Sequence, residues 1–403
     1  MIGKLGDDLL TEILIRFPNP TSACRNKAVC KQWRSLISDP SFRLRFISHH
    51  QSKNKQPPPK LLLSAESLSF FPMPADNRPW DFAVLDCFKD LLLCGFGESG
   101  RCTNAELVRS YLLCNLFTEQ WIALPLAPER PMGHSALYAR LVCEPLVSSD
   151  HDIGAGYMYR FRVVCIYRDR GNMKLDMFCS ESGEWTKEAF LLEGYCIGGL
   201  YDVVSCNGVL YVPRPHGLYR PSIASFNAFR LDIAVTPIDV PPIAAELWWN
   251  ISVSQGALHL TGIEERAKSA GLLFHLSVWR LDENCKTWSK VCEGPVKSSS
   301  VGNCGWGLLV PTLHPEKPEV AFFTDFCGVA GNCHLSCDLR KGGVLGSVSE
   351  LTQFFTGWRV FQPRVHCWPT PIPRYEKLRV IYDGSYAGWV QSNDPSKAMT
   401  PLS

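Results

Sequence analysis

Three short β-forming runs, each led by a glycine, recur at nearly constant spacing. They are Asn207-Gly208-Val209-Leu210-Tyr211-Val212, Gln255-Gly256-Ala257-Leu258-His259-Leu260 and Gly305-Trp306-Gly307-Leu308-Leu309-Val310, and Gly208, Gly256 and Gly305 are 48 and 49 residues apart. A repeat of that length suits the blade of a propeller better than a shorter solenoid unit. A second pattern recurs as well: a strand, a polar turn, then a strand opening on Trp. It is seen in Tyr111 to Leu124, Leu175 to Phe190 and Leu276 to Val291, with Phe226 to Ile238 as a copy lacking the Trp. Such hairpins suit the outer half of a four-stranded blade. One blade alone exposes both faces, and stacking blades around an axis covers them. The pattern predicts about six blades over residues 61–393, with 394–403 as a tail. Two stacked β-sandwiches are the competing arrangement.

The first 48 residues differ in kind. Leu5, Leu9, Leu10, Ile13, Leu14 and Phe17 recur at helical spacing, and Asp7, Asp8 and Glu12 lie early, where carboxylates suit the helix dipole. Pro18-Asn19-Pro20-Thr21 ends that helix and begins a short second one, and a third carries Trp33, Leu36 and Ile37. Ser38-Asp39-Pro40 reads as one further cap, with Asp39 at the N-cap and Pro40 in the first helical position. Helices this short do not bury their faces alone, which predicts a small compact unit or half of an interface. Residues 49–60, HHQSKNKQPPPK, read as a linker that stiffens toward its prolines. The fold class expected is therefore α+β: a small three-helix unit over 1–48, then an all-β propeller-like repeat domain.

Charge excludes some partners. Lys and Arg number 41 against 39 Asp and Glu, so no global field points to nucleic acid or to an acidic membrane surface. The N-terminus lacks the basic and apolar regions of a secretory signal, and no apolar run has the length of a membrane span. These features predict an intracellular protein, cytoplasmic or nuclear, whose 18 cysteines are reduced thiols.

Taken together, Leu5-Gly6-Asp7-Asp8-Leu9-Leu10-Thr11-Glu12-Ile13-Leu14, Phe17-Pro18 and Ala28-Val29-Cys30-Lys31-Gln32-Trp33-Arg34-Ser35-Leu36-Ile37-Ser38-Asp39-Pro40-Ser41-Phe42 resemble the F-box family. The resemblance implies a helical unit that docks on the Skp-type adaptor of cullin-RING ubiquitin ligases. The family's adaptor-facing positions fall on Leu5, Leu9, Leu10, Ile13, Leu14, Phe17, Pro18, Val29, Trp33 and Leu36, with Trp33 as the expected anchor. Gly6 departs from the usual Pro, and Ala23, Cys24 and Asn26 are smaller or more polar than the family pattern. The β region is similar to the F-box-associated or kelch-like domains of plant F-box proteins, although Gly198-Gly199, which matches the kelch double glycine, is not followed by Tyr and Trp at kelch spacing.

Other signals lack their contexts. Gly95-Phe96-Gly97-Glu98-Ser99-Gly100 fits GxGxxG, yet about ten residues before the next strand are too few for a βαβ unit. Cys327, Cys333, His334 and Cys337 lack paired ligand hooks. No nucleophile elbow or HExxH occurs, and no cofactor is expected. Trp248, Trp249 and Trp306 are candidates for a target-recognition surface, because neighbouring strand residues point to opposite faces, with packing between blades as the assignment preferred over it. The implied function is that of a non-catalytic ligase subunit linking an unidentified target protein to the adaptor and, through it, to cullin and RING subunits. The alternatives are a non-degradative interaction scaffold that binds the adaptor weakly, and a propeller enzyme or small-ligand receptor.

Overall fold

The computed structural model of the 403-residue chain describes residues 5–18, 20–51, 82–97, 108–115, 120–128, 136–145, 159–169, 172–192, 203–214, 220–230, 236–242, 247–268, 271–284, 286–297, 310–314, 316–325, 333–341 and 343–347. Its first part is helical: α1 (Asp7–Leu14), α2 (Pro20–Arg25), a 3-10 turn (Asn26–Ala28), α3 (Lys31–Ser38) and α4 (Pro40–Gln51). Where three helices are expected, the described residues hold four. The cap at Asp39 opens the additional one: its Oδ1 accepts the Ser41 backbone N–H at 2.7 Å, and its carbonyl accepts that of Phe42. Hydrogen bonds from the Ser41 side chain and backbone hold the Asp39 carboxyl below the usual range. Helix α4 also runs on through His49 and His50, which the polar composition assigns to the linker.

The fourth helix gives the small unit a compact core. Phe42 and Phe46 of α4 complete a cluster with Leu10, Leu14, Ile15, Ala23 and Ile37, all buried. Polar ties fix the arrangement at its rim. Gln32 Nε2 donates to Asp7 Oδ1 at 2.8 Å, Arg45 pairs with Glu12, and a ring nitrogen of His50 lies 3.0 Å from the Ile15 carbonyl.

From Phe82 onward every described element is a strand, and the twenty strands form five sheets of four. The first sheet is β1 (Phe82–Phe88), β2 (Leu91–Gly97), β3 (Val108–Asn115) and β4 (Gln120–Ala123). The second is β5 (Ala136–Pro145), β6 (Tyr159–Asp169), β7 (Asn172–Cys179) and β8 (Glu184–Leu192). The third is β9 (Val204–Cys206), β10 (Val209–Arg214), β11 (Ser222–Asn227) and β12 (Thr236–Asp239). The fourth is β13 (Trp248–Ser254), β14 (Ala257–Lys268), β15 (Gly271–Asp282) and β16 (Thr287–Lys297). The fifth is β17 (Val310–His314), β18 (Lys317–Asp325), β19 (Cys333–Asp338) and β20 (Gly343–Ser347). Within each sheet every strand pairs antiparallel with its neighbour in sequence, and the first strands β1, β5, β9, β13 and β17 adjoin one another in order. This is a propeller arrangement of five blades among the described residues, not the six expected. The sheets begin at Phe82, Ala136, Val204, Trp248 and Val310, intervals mostly wider than the spacing of the glycine runs. Residues 61–81 and 348–393, which the count of six had included, lie outside the described residues.

Packing excludes the pair of sandwiches. The second, third and fourth sheets each bury apolar side chains on both faces, against the sheet before and the sheet after. A sandwich sheet would keep one face in solvent. The glycine runs mark the turn from first to second strand in two blades. Asn207-Gly208 has φ 50° and 77°, and Gln255-Gly256 has φ 50° and 69°, the left-handed pairs that a two-residue hairpin requires. The third run behaves differently: Gly305 to Leu309 lie outside the described residues, and Val310 opens the first strand of its blade instead of the second.

The Trp-bearing hairpins are the outer halves of their blades, as their pattern predicts, and the indoles have a structural use. Trp185 Nε1 of β8 donates to the Pro125 carbonyl just past β4 at 2.8 Å. Trp288 Nε1 of β16 donates to the Asp239 carbonyl at the end of β12 at 2.7 Å. Each bond ties a blade's outer strand to the preceding blade. Trp288→Phe, which keeps one aromatic ring but removes the donor and part of the indole's packing, is expected to cost about 1 kcal/mol or more in urea unfolding.

Candidate interaction surface on the helical module

Helix α1 divides the predicted contact residues in two. Leu10 and Leu14 point inward and belong to the module's core, so they have no free surface to offer. Leu9 and Ile13, four residues apart along the neighbouring edge of the same stripe, stand 61% and 50% exposed, and Val29, in the turn before α3, is 59% exposed. Leu5 is half-buried and Pro18 exposed. Phe17, Trp33 and Leu36 pack partly against the core, with the Phe17 and Trp33 rings 6.2 Å apart. Trp33 is thus a partly covered edge of the surface, while Leu9, Ile13 and Val29 are its protruding apolar groups.

The second helix turns its small residues inward. Ala23 is fully buried, the Cys24 thiol is pushed up to about 11 chiefly by burial, and Asn26 Nδ2 donates to the Ser22 carbonyl at 2.7 Å, closing the last turn of α2. Gly6 is extended at φ −62°, the angle a proline ring imposes, and a Cβ there would meet nothing within 4 Å. Gly6→Pro is therefore expected to stabilise the helical module by about 0.5–1 kcal/mol, read as a higher unfolding midpoint.

In the propeller, Trp248 and Trp249 take opposite faces of β13. Trp248 is 58% exposed, whereas Trp249 is 2% exposed between the third and fourth sheets, which removes it from the recognition candidates. Trp306 lies outside the described residues. The GxGxxG run enters β2, whose next described element is the antiparallel strand β3, so the βαβ context of a dinucleotide site does not form. Cys337 packs in the core of the fourth and fifth sheets. Among the described residues no group of three or more His, Cys, Asp or Glu is placed to hold a metal ion, and no helix is long and apolar enough to cross a membrane.

Sequence reasoning misses the ties that aim the surface. Asp7 with Gln32 and Glu12 with Arg45 hold α1 against α3 and α4. Their signal was present, since Phe42 and Phe46 follow a capped Pro40 at helical spacing.

No family model matches the chain. An F-box protein of Arabidopsis thaliana is 29% identical over 215 residues, covering 51% of this chain and 57% of that protein, so the match spans little more than half of that relative's length. A putative F-box/kelch-repeat protein of Arabidopsis thaliana is 22% identical over 410 residues, covering 96% of this chain and 91% of its own. Another is 25% identical over 246 residues and covers 56% of each chain. Among solved structures, an α-L-arabinofuranosidase of Fusarium graminearum has a TM-score of 0.39 at 10% identity over 70% of this chain and 85% of its own. A Synechocystis apocarotenoid oxygenase has a TM-score of 0.31 at 12% identity over 69% and 60%. Likenesses this distant decide nothing about the chain. With helices carrying the F-box pattern ahead of an array of propeller blades, the chain resembles plant F-box proteins that bear a C-terminal propeller.

Proposed function

We propose that the chain is the substrate-recognition subunit of an SCF-type (Skp-cullin-F-box) E3 ubiquitin ligase. In this reading residues 1–48 are the docking unit, 49–60 the linker, 61–393 the target-binding propeller and 394–403 a tail. The observation that carries it is the division of α1: Leu10 and Leu14 fill the core, while Leu9 and Ile13, with Val29, are left facing solvent. Exposed aliphatic side chains on so small a module gain from a partner surface that covers them. Leu5, Phe17, Pro18, Trp33 and Leu36 surround them as the rest of the docking surface. The chain itself is non-catalytic, raising the effective concentration of target lysines near the ubiquitin-charged enzyme. Trp248 is its candidate contact for a target protein.

A second reading, a scaffold with weak adaptor binding, is favoured by Ala23, which is buried and leaves α2 little apolar surface to present. Co-purification of the full chain under proteasome inhibition separates the two. Recovery of a Skp-type adaptor together with a cullin is expected, and a folded chain that recovers neither leaves the second reading.

A further inference from the structure

The blades differ at the end where their first strand begins. Past the last residue paired with the first strand, the second strand runs on by one residue in the first blade (Gly97), two in the second (Arg168 and Asp169) and one in the fifth (Asp325). In the third it runs on by three, residues 212–214, and one of them is Pro213, which has no N–H to offer an added strand. The fourth blade departs from this pattern. There β13 begins at Trp248, paired with Ile263, while β14 continues through residues 264–268, which stay paired with residues 271–275 of β15. The projection is five residues long, about 17 Å at the usual strand rise.

One side of that projection is open among the described residues. The chain enters β13 through a bend at Leu247, so the ladder on that side of β14 stops at Ile263. Consecutive residues of an antiparallel strand send their N–H and C=O to opposite sides. Half of the backbone groups of residues 265–268 therefore bond β15, and the other half point where no described strand lies. The first strands of the blades adjoin one another, so this open side looks toward the propeller axis. The sequence over 264–268, Glu-Glu-Arg-Ala-Lys, contains neither a proline nor a register shift to blunt the edge, and its charges keep it soluble.

A backbone ladder by itself accepts any sequence, and selectivity comes from side chains beside it. Trp248 stands at the foot of the open edge, more than half exposed, on the face opposite the buried Trp249. Its cross-strand partner Ile263 is half-buried. A strand added along residues 265–268 would continue the line of β13. Its nearest side chain on the Trp248 face would then lie one strand repeat, about 7 Å, from that indole.

We propose that the β14 edge at residues 265–268, with Trp248 and Ile263 at its foot, is a docking site for an extended peptide segment of a target protein. The segment joins the fourth sheet as a strand in line with β13 and sets a large apolar side chain on Trp248. The proposal rests on the reading of the propeller as the target-binding part, and it names the form in which a target is held: a linear stretch instead of a folded surface.

Amide hydrogen exchange of the full chain gives the first readout. Alternate amides within 265–268 should exchange fast and the others slowly. Slow exchange at all four would mean that the chain's own residues or a second copy already fill the edge, which overturns the proposal. The second readout uses a phage-displayed library of random linear peptides selected on the full chain. Selected peptides should carry an aromatic or large aliphatic residue, slow the fast amides of 265–268, and bind Trp248→Ala about tenfold more weakly. Methylating their backbone nitrogens one at a time should weaken binding about tenfold at alternate positions only, the two-residue period of strand pairing. Of Arg266→Pro and Ala267→Pro, the one that removes an open-side N–H should lose peptide binding at an unchanged unfolding midpoint. Failure to select any peptide, methylation effects without the two-residue period, or full affinity for Trp248→Ala would overturn the proposal, even if both proline variants fail to fold. A chain that binds a Skp-type adaptor but no peptide overturns this proposal alone. A chain that binds such peptides but no adaptor supports the edge and removes the ligase reading.

Discussion

Leu9→Asp combined with Val29→Asp is expected to reduce binding of a Skp-type adaptor at least about 100-fold, while the chain's thermal unfolding stays where it is. Both halves of that result follow from position. Leu9 and Val29 are more than half exposed and lie outside the module's core, so their replacement strands no buried group and opens no cavity. In a complex the same positions would lose water on both sides, and a carboxylate placed there without a partner costs several kcal/mol. Two such charges exceed the roughly 2.7 kcal/mol that a 100-fold change represents. Leu10→Asp is the opposing control. It puts a charge where the side chain is 1% exposed, between Leu14 and the α4 phenylalanines, so it should unfold the helical module and abolish binding by a different route. Circular dichroism beside each binding measurement separates loss of surface from loss of fold.

Gly294→Ala should be the most damaging single-methyl change at a described glycine of the propeller, lowering its stability by about 3 kcal/mol or more. An ideal Cβ on Gly294 would stand 1.9 Å from the Leu339 carbonyl oxygen and 2.8 Å from its carbon, so β16 and the chain following β19 touch backbone to backbone. No rotamer change relieves such an overlap. Leu339 is itself buried, and its N–H donates to the Glu319 carbonyl at 2.8 Å, so retreat from the new methyl gives up packing and a hydrogen bond together. Gly262 gives the comparison. There a Cβ would meet the Trp279 ring at 2.9 Å and a terminal methyl of Leu247 at 3.2 Å, side chains that can shift, so Gly262→Ala should cost less. Urea unfolding of both variants checks the order.

The division into helical and β parts was legible because period and composition change together after the proline-rich stretch. The outer hairpins could also be read, since a Trp following a polar turn is a local pattern, and the Trp185 and Trp288 indoles fasten successive blades at those positions. The blade count was harder. Spacing between glycines measures one kind of hairpin, whereas blade size depends on connections whose length varies, and the third glycine run proved to end where a first strand begins. The surface of α1 shows a similar limit. Periodicity places Leu9, Leu10, Ile13 and Leu14 on one broad stripe, but which edge of that stripe is covered depends on where α3 and α4 lie. That is settled by the Asp7 to Gln32 bond, the Glu12 to Arg45 pair and the α4 phenylalanines, all long-range contacts. Trp248 and Trp249 were separable by strand alternation, yet only the stacking of the third sheet on the fourth shows which of them is buried.

Calorimetric titration of the purified full chain with purified Skp-type adaptor tests most directly whether the exposed side of α1 is a docking surface. The expected result is a one-to-one complex of submicromolar Kd for the wild type, weakened at least about 100-fold by Leu9→Asp with Val29→Asp at unchanged Tm. A folded wild-type chain that gives no binding, or a double variant that binds as tightly as the wild type, would contradict it.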